Sequence, residues 1–244
     1  MQTNAMTAAI AAVLEEFSVE TADRTDLVRE ACELRHQVYC RERAFETPKE
    51  GEIETDDFDA RARHVVLRHR ASGKVIGTIR LVLMNPRVPD DSYPMQRACD
   101  SRFLRSAPRP TTAEASRFAL SKELRIASPA AQGMLRLALV RGLVELSGQL
   151  GITHWCALME PSLLRLLRAT AMHFDAHGPL VEHHGMRQPS FTSLDAFLTR
   201  VERDQPAIWD FITDGGKFWS NPALAPAKLA TANDAGSGAL ALSA

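Results

Sequence analysis

Residues 111–120 read Thr-Thr-Ala-Glu-Ala-Ser-Arg-Phe-Ala-Leu. Small and apolar residues alternate around Glu114, Ser116 and Arg117, which gives the stretch the character of a buried strand. Charged groups stay out of protein interiors unless they are paired or used. Side chains alternate along a strand, so a regular one would turn Glu114, Ser116, Phe118 and Leu120 one way. Ala113, Ala115, Arg117 and Ala119 would face the other way. Glu114 and Arg117 share a face only if a bulge inserts one residue. The plain alternative is a structural ion pair or an exposed edge strand.

Composition narrows the function classes. The chain has 244 residues, enough for one large domain or two small ones. With 29 basic and 30 acidic residues the net charge is −1, so nothing global points to nucleic acid or an acidic membrane surface. Cys32, Cys40, Cys99 and Cys156 are scattered with no CxxC, as expected of reduced thiols in a cytoplasmic protein. The first 17 residues lack a basic leader and read as a helix. No apolar run approaches the ~20 residues that span a bilayer, so no integral membrane segment is expected.

Upstream, Leu27, Ala31, Leu34 and Val38 recur at helical spacing, predicting an amphipathic helix over Leu27–Arg43 capped by Thr25 or Asp26. Arg35, Tyr39 and Glu42 form a stripe beside the apolar one, either a solvated face or a pocket wall. Residues 44–61 are acidic, with Glu46, Glu50, Glu52, Glu54, Asp56, Asp57 and Asp59 broken by Pro48 and Gly51. They make a solvated loop or a carboxylate lip for a cationic group; EF-hand spacing is absent. Arg63–Arg70 and Lys74–Met84 read as a hairpin, and Arg80 in its apolar second strand needs an anionic partner.

Downstream, Asn85–Arg109 is Pro-rich and irregular around a short helix near Met95–Asp100. Ser128-Pro129 opens a long helix, and the preceding loop through Gly133 offers backbone N–H groups to an anion. A strand at Gly151–Leu158, a helix at Pro161–Ala171, short strands within Phe174–Phe191 and helices at Leu194–Arg203 and Pro206–Ile212 follow. Adjacent His183 and His184 would point to opposite faces of a strand, and His173 and His177 flank a helix end, so no metal site is expected. Residues 1–220 form a single domain, and 221–244 have the composition of a disordered tail. The element order implies an α/β protein with one mixed, mostly antiparallel sheet flanked by helices.

Four pieces occur in order: ELRHQVYCRERAFE, ETDDFD, GTIRL and EASRF. Together they resemble the acyl-homoserine-lactone (autoinducer) synthases and the N-acyl amino acid synthases, both with the GNAT-like acyltransferase fold. THWCALMEPSLLRLL and GPLVEHHGMRQP are similar to the acyltransferases of the PEP-CTERM/exosortase system. The resemblance implies transfer of an acyl group from an acyl carrier protein or acyl-CoA thioester to a small amine, with no permanently bound cofactor. It places Arg35, Tyr39, Phe45, Asp56, Asp59, Arg80, Glu114, Ser116 and Arg117 on signature positions. Tyr39 stands where that family usually has Phe, and Phe45 where it has Trp. Those aromatics help bind S-adenosylmethionine there, so another amine acceptor is implied. Of the usual pyrophosphate motif only Gln132 and Gly133 remain. Under this reading Glu114, Ser116 and Arg117 are catalytic, with Glu114 the base; a bulge near Ser116 or Arg117 would free backbone N–H groups near Ser116–Phe118 as the oxyanion site, and Phe118 lies against substrate. Asp56 and Asp59 would hold the acceptor's ammonium, and Arg35 or Arg80 its carboxylate.

Overall fold

The computed structural model describes residues 2–47, 51–123 and 129–219; side chains are described for residues 6–47, 51–123 and 133–219. In chain order the elements are α1 (Gln2–Glu16), β1 (Phe17–Ala22), α2 (Thr25–His36), β2 (Ala62–His69), β3 (Val75–Leu83) and α3 (Pro94–Ala98). Then come β4 (Thr112–Leu120), α4 (Pro129–Leu150), β5 (His154–Met159), α5 (Pro161–Ala169), β6 (Asp175–Ala176) and β7 (Val181–Glu182). The last described elements are β8 (Met186–Ser193), α6 (Leu194–Asp204) and α7 (Pro206–Thr213). The sheet order is β1-β2-β3-β4-β5-β8-β6, with β7 beside β8. Every pair is antiparallel except β4–β5.

That one parallel pair shapes the molecule. β4 and β5 are in register only over Thr112–Glu114 and His154–Cys156. Beyond Glu114 the strands part, because β4 runs on to Leu120 against β3 while β5 continues against β8. The sheet is therefore open in its middle. On one face α4 packs the main core, which holds Leu67, Leu81, Leu135, Leu139 and Trp155. Its approach is close: a Cβ on Gly142 would lie 2.3 Å from Val65 Cγ1 and 2.8 Å from Val19 Cγ1. The other face carries α2, the acidic segment and α3, over smaller clusters around Val66, Val38 and Tyr93.

Several expectations change. β1 was not anticipated: its interior reads Ser-Val-Glu-Thr, and an outermost strand need bury little. The helix over 27–43 stops being α-helical at His36 and continues as a π-helix, Gln37–Glu42. Its N-cap is Arg24, with no side-chain cap from Thr25 or Asp26. His183 and His184 occupy the turn between β7 and β8, with ring centroids 4.6 Å apart, not opposite faces of a strand. Glu50 and Pro48, Ser128 and the tail expected at 221–244 lie outside the described residues. Among those described, no helix is long and apolar enough to cross a membrane.

Candidate active site

β4 contains the bulge. Thr78 opposes Ala119 and Arg80 opposes Ser116, so Arg117 and Phe118 together face the single residue Ile79. Arg117 takes φ 55°, a left-handed conformation that side chains other than Gly adopt rarely. The inserted residue turns Arg117 onto the face of Glu114 and Ser116. Phe118 and Leu120 move to the α4 face with Ala113 and Ala115, where all four join the main core. The regular alternation that grouped Phe118 and Leu120 with Glu114 therefore does not hold.

Three arginines and three carboxylates meet on this face. Arg35 on α2 donates from Nε to Glu54 at 2.5 Å and from both Nη atoms to Asp59 at 2.7 and 3.1 Å. Arg80 on β3 makes a two-pronged pair with Asp56 at 2.8 and 2.7 Å, also contacts Asp59, and donates from Nε to Ser116 Oγ at 3.1 Å. Arg117 donates to Glu54 at 2.9 Å and lies 3.0 Å from Asp56. Burial disfavours the charge on Glu54, Asp56 and Asp59, but the arginines overcome it and hold all three carboxyls below their ordinary range. The cluster is thus balanced and internally satisfied.

This arrangement gives four of the singled-out residues partners within the protein. Arg35 and Arg80 are both 0% exposed, and they donate to protein carboxylates and Ser116. Asp56 and Asp59 pair with the same arginines. Glu54, not singled out in the sequence, is the link between Arg35 and Arg117. Seven acidic residues crowd its segment, and no local signal separates buried Glu54 from exposed Glu52 and Asp57.

Glu114 lies outside the cluster. It is 2% exposed, between Val82 on β3 and Cys156 on β5, and Oε2 accepts the backbone N–H of Met95 at 2.9 Å. Burial pushes its carboxyl up to about 7, although the Met95 N–H, Arg80 and Arg117 pull the other way. A carboxyl in that range can take and return a proton near neutral pH.

A cavity of about 870 Å³ runs through the gap between β4 and β5. Glu114, Ser116 and Arg117 line it, together with Tyr39 and Phe45 at one side. Tyr39 is on the π-turn; its ring stacks 6.3 Å from Phe45, and the Arg117 guanidinium lies 5.7 Å from its centre. Towards α4 the lining becomes apolar and ends on Trp155, Phe174 and Phe197, whose ring centres are 5.5–6.4 Å apart. The Trp155 Nε1–H is satisfied by Ser147 at 3.0 Å, which leaves this end without an open polar group from the indole. Gly133 is in the first turns of α4 but does not line the cavity; the Gln132 side chain lies outside the described residues, and Arg136 lines the wall instead. Among the described residues no three His, Cys, Asp or Glu side chains gather as a metal-binding group.

Residues 34–134 match the family profile described as acetyltransferase (GNAT) domain. A search of curated proteins returned no match. Among solved structures, TofI in a ternary complex with an inhibitor and MTA is 21% identical (TM-score 0.57), over 79% of this chain and 99% of that one. The CoA-dependent acyl-homoserine lactone synthase BjaI, with SAM and isopentyl-CoA, is 19% identical (TM-score 0.58), over 82% and 88%. FeeM, an N-acyl amino acid synthase from uncultured soil microbes, is 14% identical (TM-score 0.53), over 75% and 93%. The chain has the GNAT fold, and residues 34–134 match the profile of that domain.

Proposed function

We infer that this protein is an N-acyltransferase moving an acyl group from a carrier-protein or CoA thioester to the amine of a small acceptor, an amino acid or a related metabolite. The observation that carries this is Glu114: a buried carboxyl held near 7 on the wall of a cavity that passes through the opened sheet. Glu114 takes a proton from the acceptor's ammonium, and the freed nitrogen attacks the thioester carbonyl carbon. Backbone N–H groups at the Ser116–Phe118 bulge stabilise the oxyanion. The C–S bond breaks as the nitrogen loses its second proton; the thiolate takes up one proton and the other reaches solvent. Arg117 and the charge cluster position the bulge, and the apolar end towards Trp155 receives the acyl chain. Lys122 and Arg136, on the same cavity, suit the donor's phosphate. The reaction takes place in the cytoplasm, and the resemblance of the later segments to the PEP-CTERM/exosortase acyltransferases supports a link to surface-protein processing if the domain binds without catalysis.

A second reading, an acyl-homoserine-lactone synthase using S-adenosylmethionine, is favoured by the likeness to TofI and BjaI. Tyr39 and Phe45 at the acceptor side count against it. One experiment separates these: purified protein is incubated with acyl carrier protein or acyl-CoA thioesters and a panel of amines, and products are read by mass spectrometry. An acyl amine supports the first reading and an acyl lactone the second. No product with any donor leaves a domain that binds an acyl thioester or a partner without catalysis.

A further inference from the structure

With Arg35 and Arg80 spent inside the cluster, a carboxylate on the acceptor needs another partner. Two guanidinium groups on the cavity rim share one anion. Arg43, which follows the π-turn, donates to Glu160 Oε1 at 3.1 Å, and Arg187 on β8 lies 3.3 Å from the same oxygen. Their guanidinium carbons stand 5.5 and 5.6 Å from the centre of the Phe45 ring. Arg187 is fixed by the hairpin backbone, donating to the carbonyls of His184 and Met186 at 2.6 and 3.3 Å. Glu46, another carboxylate on this rim, is turned to His184 at 3.2 Å. Where the buried cluster balances three cations with three anions, this pair has two cations on one oxygen. Arg43 after the π-turn, Glu160 at the N-cap of α5 and Arg187 on β8 meet beside Phe45, whereas Lys122 follows β4 and Arg136 lies on α4.

We propose that Arg43 and Arg187 form the subsite for a carboxylate on the acceptor, with Glu160 as the resident counter-ion that the substrate carboxylate joins or displaces. The inference rests on the acyltransferase reading and makes the acceptor an amino acid rather than a simple amine. Planar guanidinium forks suit a carboxylate, and the Phe45 ring beside them presents an apolar surface to the same cavity.

The test is binding of N-dodecanoylglycine and of its neutral isostere N-dodecanoylglycinamide to the full chain by titration calorimetry, which needs no turnover. Wild type should bind the carboxylate at least about tenfold tighter than the amide. Arg43→Gln and Arg187→Lys should bring that ratio towards one; the lysine keeps the charge and loses the fork. Glu160→Gln should act in the opposite direction, raising the ratio a few-fold. A wild-type ratio near one, a ratio preserved in both arginine variants, or no binding of either probe at about 1 mM overturns the proposal. Failure of acyl transfer to the amine panel would instead remove the enzyme reading while leaving this ratio standing.

Discussion

Replacing Glu114 by Gln tests the base and its environment together. The amide keeps the shape and still offers an oxygen to the Met95 N–H, but it cannot titrate. Carrying the carboxyl from its ordinary 4.5 to about 7 makes the charged form roughly 3 kcal/mol less favourable in the folded protein than in the unfolded chain. Between those two values the folded state holds a proton that the unfolded state has released. Wild type therefore carries the full Glu114 contribution below about 4.5 and loses it as pH rises through about 7. Glu114→Gln lacks that dependence, and the other titrating groups cancel in the comparison. Urea unfolding of both proteins at pH 5 and pH 8 should show the variant gaining on wild type by about 2–3 kcal/mol at the higher pH. In the acyl-transfer assay the same variant should lose on the order of 10²-fold or more in kcat, together with the rise of wild-type kcat/KM near pH 7. Parallel stability curves would show that the carboxyl is not held high, and near-normal turnover would show that it is not the base.

Other perturbations read the surroundings of Glu114. Arg80→Ala removes the buried guanidinium that joins Asp56 to Asp59, leaving Asp56 with Arg117 and Asp59 with Arg35, and should cost about 3–5 kcal/mol in urea unfolding, beyond any change in KM; a loss under 1 kcal/mol would mean the cluster is not the strut described. Gly142→Ala should destabilise by about 1–3 kcal/mol because Val65 blocks the new methyl, and Val65→Ala in the same chain should recover part of that loss. Phe174→Ala removes a ring from the apolar end of the cavity and should shift the preferred acyl chain upward by two or more carbons, read from product masses; an unchanged profile would place the end of the chain elsewhere.

Much of the architecture was legible because it rests on local pattern. The hairpin of β2 and β3, the strand at 112–120, the helix after Pro129 and the strand at 154–159 follow from apolar period and from Gly and Pro punctuation. Even the condition for Glu114 and Arg117 to share a face, a one-residue bulge, came from counting alternation in EASRF. Whether the bulge forms was not local: it depends on Thr78 and Arg80 of β3 holding Ala119 and Ser116 in register on either side.

The charges show the division most plainly. From the chain alone, Arg35, Asp56, Asp59 and Arg80 are residues too polar for their surroundings that must find partners. Which partner each takes depends on contacts between residues tens of positions apart, and no period in the sequence encodes those. Folding joins them to one another through Glu54 and Arg117. It also brings Arg43, Glu160 and Arg187 from three separate elements to one rim. Helix and strand patterning is short-ranged, so the elements and the residue types at the site can be read along the chain. Burial and pairing are properties of the assembled sheet, so which charges pair with one another and which face the cavity emerges only on folding.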